Sequence, residues 1–157
     1  MSHRFFGGVH PDDGKKLSEN CPIQVLPAPE QVFMPVVLHI GAPCEPVVSV
    51  GDHVNYGQLI AKATSAVSAN IHASVSGTVS AIEPRLHPNG KMVNTIVIDN
   101  DMQDTLDPGI VPHTAEVEAD PKALTEIVRN AGITGMGGAA FPTAVKISSG
   151  LGKADTI

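Results

Sequence analysis

The stretch from Gly132 to Lys146 reads G-I-T-G-M-G-G-A-A-F-P-T-A-V-K, and its residue types and spacing can do chemistry. Glycine tolerates positive φ and lets a ligand approach the main chain closely. Pro142 suits the first turn of a helix, where its missing N–H costs nothing. Gly135, Gly137 and Gly138 can therefore wrap a loop whose N–H groups face an anion, with a helix N-terminus behind it. Lys146 lies about one turn into that helix and reaches back to the same anion as a point charge. The chemistry this suits is the holding of a phosphorylated cofactor. A plain tight connection between two helices has the same glycine spacing, and spacing alone does not choose between them.

No other constellation competes with it. His39 and His72 fall on different predicted strands, with no carboxylate or thiol at ligand spacing, and read as satisfied or exposed histidines. His10, His53, His87 and His113 sit beside turns and read the same way. Nothing selects one serine for a Ser-His-Asp arrangement. Asp99 and Asp101 read as a solvated turn, not a calcium site. Cys21 and Cys44 make neither a disulfide framework nor a metal motif, and read as reduced thiols.

The elements that must position the loop follow from composition and pattern. The chain has 157 residues, 42% hydrophobic and only 3% aromatic, so its core is built from Val, Ile, Leu and Ala. Fifteen Gly and 13 Pro favour many short strands over long helices. A net charge of −6 without any basic run argues against a nucleic-acid partner. No apolar run is long enough to span a bilayer, and no secretory h-region is present.

Residues 1–33 read as an irregular N-terminal arm, with Phe5 to Pro11 a compact aromatic turn and Ile23 to Leu26 a short edge strand. Residues 34–100 read as short, evenly spaced strands: 36–40, 47–50, 58–61, 70–73, 77–82 and 93–98. A small barrel or sandwich is implied. Val47, Val50, Leu59, Ile71, Val79 and Ile96 are expected inside, and Asn89-Gly90 signals a hairpin turn. The acidic stretch 101–119 reads as a linker. Residues 120–132 read as a helix, with Asp120 as N-cap, Pro121 first, Leu124, Ile127, Val128 and Ala131 on one apolar face, and Gly132 ending it. A second helix starts near Pro142, and Ala154 to Ile157 reads as the start of a strand.

Two resemblances add to this. Val50 to Ile60, then Ile71 to Val79, resembles the biotinyl/lipoyl carrier family, whose fold is a barrel-sandwich hybrid. Gly51, Gly57 and Gly77 fit its turns. Carriers expose a lysine on the hairpin between these segments. Here Ala66 falls at that place and Lys62 falls before the tip, so the carrier function is rejected and a docking or structural barrel is expected.

Gly135 to Thr143, with Lys146 after it, resembles the flavin- and NADH-binding loop of the respiratory complex I flavoprotein subunit. That family usually has arginine where Met136 stands and glycine at Ala140. The order of parts is similar to the RnfC family of bacterial Rnf-type electron transport complexes: Phe6 to Pro11, His39 to Pro43, a barrel with no lysine at its hairpin tip, then the glycine loop. Residues 120–157 would by this resemblance begin an FMN/NADH-binding α/β domain that is truncated here. This resemblance implies a parent subunit that takes electrons from NADH through FMN to iron–sulfur clusters, coupled to ion translocation. It implies other members of the complex as partners, a peripheral place on the cytoplasmic side of the inner membrane, and no membrane span of its own. Gly135, Gly137 and Gly138 would present N–H groups to the FMN phosphate, Lys146 would neutralise it, and Phe141 would be an apolar platform for a ring. The cluster cysteines are absent, so this stretch is expected to be an inactive N-terminal piece. The alternative is a non-catalytic docking barrel of a multisubunit complex.

Overall fold

Valine and isoleucine recur on alternate positions through the middle of the chain, which suits strands with one buried face. The structure, a computed structural model, describes residues 11–114 and 120–153. Seven strands form two antiparallel sheets among the described residues. β1 (Gln31–Pro35), β7 (Met92–Asn100), β6 (Gly77–Leu86) and β3 (His53–Val54) lie in that order in the larger one. β2 (Glu45–Pro46), β4 (Leu59–Lys62) and β5 (Ile71–His72) make the smaller. Val36, Cys44, Val54, Ile60, Ile71, Val79, Ile96 and Ile98 fill the space between them. Each such side chain taken out of water contributes about 1.5–3 kcal/mol.

The expected barrel is present, with several corrections. Ile71, Val79 and Ile96 are buried and Leu59 is half-buried, but Val47 and Val50 are 51% and 61% exposed. The strand there ends at Pro46, and Val48, one place on, packs against the core instead. A one-residue slip moves a whole set of side chains to the other face. The apolar run Val36 to Ile40 is not a strand. Val36 is buried, while Leu38 and Ile40 stand about half exposed on an irregular segment. Ile23 to Leu26 forms no strand, and Ile23 is 98% exposed.

β6 runs past its expected end at Ile82 to Leu86, through Pro84. β3 pairs only with Gly77 and Thr78, so the far half of β6 has a free edge, where proline is tolerated. The β6–β7 hairpin turns at Asn89-Gly90 as expected, with Gly90 at φ +80°.

The stretch read as a linker begins by returning to the barrel. Asp101 accepts hydrogen bonds from Ser76 Oγ (2.6 Å) and Gln103 N–H, and faces His53 Nε2 at 3.1 Å. Tyr56 N–H donates to Thr105, and Asp107 N–H donates to Tyr56. Asp99 accepts from Gln31 and Ser80. Both carboxylates are thus structural acceptors, and among the described residues no three acidic, His or Cys side chains group as metal ligands.

Beyond it, α1 (Pro121–Asn130) starts on the Asp120 cap, whose Oδ1 accepts from Lys122 N–H at 3.0 Å. The expected apolar face is only partly covered. Ile127 and Val128 are half-buried, Leu124 is more than a third exposed, and Thr125 is the buried residue. α2 (Thr143–Gly150) packs beside α1 and buries Ala144. No helix among the described residues is long and apolar enough to cross a membrane. The expected Phe5 to Pro11 turn, apart from Pro11, and the strand start at Ala154 lie outside the described residues.

Candidate functional site

The glycine loop joins α1 to α2. Gly132 ends α1 at φ +68°, the left-handed conformation the sequence implies. Thr134 then bridges to Pro142, and Thr143 N–H donates to Ile133 at 2.9 Å. The loop is therefore cinched at its base, and Met136 to Ala139 project outward with Met136 fully exposed.

The structure divides the expected roles among the loop residues. Gly135 does not offer its N–H to a ligand: that group donates to Phe141 at 2.9 Å. What Gly135 supplies is space. A β-carbon there would stand 3.0 Å from Lys146 Nζ, so the missing side chain makes the seat into which the lysine folds. Lys146 Nζ also lies 5.8 Å from the centre of the half-buried Phe141 ring, within cation–π range. Gly137 and Gly138 face open space. Their N–H groups, and that of Ala139, donate to no group among the described residues.

The helix N-terminus contributes less than the sequence implies. Thr143 N–H is taken by Ile133, Val145 N–H donates to Pro142 at 3.2 Å, and Ala144 is buried. The open donors are those of the loop. Ala140 adopts φ +44°, the left-handed region that favours glycine.

An ammonium folded into the Gly135 space and a loop with open N–H groups are the chemistry of an oxyanion binder.

The barrel holds this loop through residues that look inert in the sequence. Ile40 N–H donates to the carbonyl of Ala139 at 2.9 Å. The Ile40 carbonyl faces the buried His39 Nδ1 at 3.1 Å, and His39 Nε2 meets Ala69 N–H at 3.1 Å. His39 Nε2 also lies 3.0 Å from the Ala69 carbonyl, so the ring is held against both polar groups of that residue. Cys44 Sγ–H donates to Ala69 at 3.0 Å, 3.5 Å from His39 Nε2. Burial pushes the Cys44 thiol up, against weaker lowering by Ser68 and Ala69. It is a structural thiol. Cys21 is exposed and free.

A second tie runs through Asn70. Its Oδ1 accepts from Ala63 N–H, and its Nδ2 donates to the Asn130 carbonyl at 3.3 Å at the end of α1. Gly132 lies so close to the Asn70 carbonyl that a β-carbon would overlap it. His72, on β5, has its pKa lowered by burial, with Asp107 opposing. Only the unusual glycine density hints at this seam; nothing in the spacing of His39, Ile40 or Asn70 marks them as supports.

With this geometry in place, the similarities to known proteins are specific. The RnfC barrel sandwich hybrid domain matches residues 3–103. The chain is 49% identical over 148 residues to the C subunit of a proton-translocating ferredoxin:NAD(+) oxidoreductase complex of Clostridium ljungdahlii, covering 94% of this chain and 32% of that protein. It is 45% identical over 144 residues to the C subunit of the Na(+)-translocating ferredoxin:NAD(+) oxidoreductase complex of Acetobacterium woodii, covering 92% and 32%. Identity to the C subunit of the ion-translocating oxidoreductase complex of Vibrio cholerae is 40% over 155 residues, covering 98% and 20%. The chain thus spans about a third or less of the length of these curated relatives. A domain match across most of the chain, with relatives of this closeness, places it in the RnfC family.

Proposed function

We propose that this chain is the barrel-bearing part of an RnfC-type subunit of an ion-translocating electron transport complex, and that its glycine loop holds the phosphate of FMN. In the full-length protein the flavin would exchange electrons between NADH and iron–sulfur clusters, with the protein peripheral on the cytoplasmic side of the inner membrane. The observation that carries this is a loop in which Lys146 folds into the space left by Gly135 while the N–H groups of Gly137 and Gly138 are unpaired among the described residues. Two relatives are named as ferredoxin:NAD(+) oxidoreductases. That name writes the electrons toward NAD(+), the reverse of the direction expected from the sequence. A phosphate seat serves both directions equally, because it touches neither reacting ring.

The test is FMN titration into a full-length protein that bears this sequence, followed by flavin fluorescence. Lys146→Ala should weaken binding about tenfold, the loss of one charge-assisted contact. Gly137→Val leaves the loop room to fold, since nothing lies within 4 Å of its β-carbon, yet blocks backbone approach. It should weaken binding at least as much. Unchanged affinity in both variants refutes the flavin site.

A second reading, a docking barrel without a cofactor, is favoured by one observation. Ile23, Val25 and Leu26 lie almost fully exposed, and the larger sheet also bares Phe33, Leu86 and Met92. Full FMN affinity in the Lys146 and Gly137 variants would leave this reading standing.

A further inference from the structure

Between the glycine loop and the barrel lies a cleft of about 370 Å³. Leu38 and Ile40 contribute apolar surface to it, Gly138 and Ala139 line one side, and His87 and Asn89 of the β6–β7 turn line the other. The half-exposed side chains of Leu38 and Ile40 give it a surface against which a flat ring can lie. The turn residues are set as donors. Asn89 N–H donates to His87 Nδ1 at 3.3 Å, which puts the ring proton on Nε2. Asn89 Oδ1 accepts from Lys91 N–H at 3.0 Å, which leaves its NH₂ group without a partner among the described residues. Both sides of the cleft therefore offer hydrogen-bond donors, in a chain whose net charge is −6. A cleft with an apolar wall and donors on two sides suits an acceptor-rich ligand that carries a planar ring.

We propose that this cleft is a second half of the nucleotide site. The glycine loop takes a phosphate, and Asn89 and His87 of the barrel take acceptors on the same nucleotide, with its ring or ribose against Ile40. The proposal rests on the phosphate-binding reading of the loop. It makes the barrel a direct contributor to ligand binding, in addition to its role as a support. FMN and NADH share the required chemistry, a phosphate ester joined to a heteroaromatic ring, and each is a separate arm of the test.

The variant is Asn89→Asp in the full-length protein. It keeps the oxygen that caps Lys91 and replaces the free donor by an acceptor. FMN and NADH are titrated separately, in low salt and in about 0.5 M salt, where long-range charge effects are screened. Affinity for one of the two should fall at least fivefold at both salt levels, and that nucleotide is then the occupant. Ile40→Glu is the second variant: its loop contact is made by the backbone, so the substitution alters the cleft wall alone, and the same nucleotide should weaken. Should Asn89→Asp fail to fold, Ile40→Glu decides alone. Unchanged affinities, or a loss that vanishes at high salt, overturn the cleft while Lys146→Ala still weakens FMN. If Lys146→Ala is also silent, the phosphate reading falls with it.

Discussion

Replacing Gly132 with alanine tests whether the barrel and the glycine loop are joined as described. Gly132 sits at φ +68°. That conformation costs an L-residue about 1–2 kcal/mol. Its new β-carbon would also overlap the Asn70 carbonyl oxygen and stand 3.4 Å from His72 Nδ1. Main-chain overlap has no rotameric escape, so the seam must open. Opening forfeits the bond from Asn70 Nδ2 to Asn130, worth about 0.5–1.5 kcal/mol. The two effects together come to about 1.5–3.5 kcal/mol against docking of α1. Gly90→Ala is the matched control: its φ is +80°, yet nothing lies within 4 Å of its β-carbon. It carries the conformational cost alone, and carries it in the β6–β7 turn. Hydrogen exchange read by mass spectrometry separates the two. In Gly132→Ala, amides of α1 and α2 should lose at least about tenfold protection, since 1.4 kcal/mol is a factor of ten, while β6 and β7 stay protected. In Gly90→Ala, α1 should exchange as in the parent. Equal protection of α1 in both variants would refute the close seam.

Three further outcomes are expected. Ala140→Gly should raise stability by about 0.5–1 kcal/mol in urea denaturation, because it relieves left-handed strain and loses part of that gain through a freer unfolded chain; a destabilised variant would contradict φ +44° at this residue. The hydrogen bond from Ser76, then that from Gln103 N–H and the contact with His53, hold the Asp101 carboxyl below its usual range. A carboxyl lowered by folding contributes stability that is complete above its unfolded pKa and vanishes as pH falls through the folded one. The urea midpoint should therefore drop as pH falls from the ordinary carboxylate range to below it, and Ser76→Ala should flatten that drop; an unaltered profile would show the bond to be idle. At mildly alkaline pH a thiol reagent should label Cys21 quickly and Cys44 only on unfolding, since only the former is exposed; equal rates would mean the Cys44 pocket is open.

The barrel and the two helices are legible in the sequence because they rest on local signals. Asp120-Pro121 at a helix start, glycine at its end and Asn89-Gly90 in a hairpin each act within a few residues, and each stands where expected. The errors have another origin. Val36 to Ile40 reads as a buried strand because it is apolar, but Ile40 uses its N–H on the glycine loop, at Ala139, a partner so distant in sequence that periodicity does not reveal it. Val47 and Val50 read as inward because strand phase is invisible in a segment that pairs for only two residues. At the candidate site, residue types lead to the expectation of an anion seat, and the structure places Lys146 against Gly135 and Phe141. Which N–H groups are free depends on the cinch at Thr134 and Phe141, which only the folded loop defines.

That cinch and the seam beside it give a physical reason for a barrel without a carrier lysine. A carrier must leave its hairpin tip free to present the prosthetic group. Here Ala66 occupies the tip, and the return arm of the same hairpin is fully engaged. Ala69 holds His39 and Cys44, His39 faces the Ile40 carbonyl, and the Ile40 N–H holds Ala139. One residue on, Asn70 ties the end of α1 and leaves room for nothing larger than Gly132. Two paths therefore run from one arm of the hairpin to both ends of the glycine-rich segment. A loop with several unpaired N–H groups would sample many shapes on its own, and ordering it would cost any ligand binding energy. Anchoring it to a packed β-core meets that cost in the folding of the barrel. The surface that lets a carrier reach outward is, in this chain, the platform that fixes the glycine loop in place.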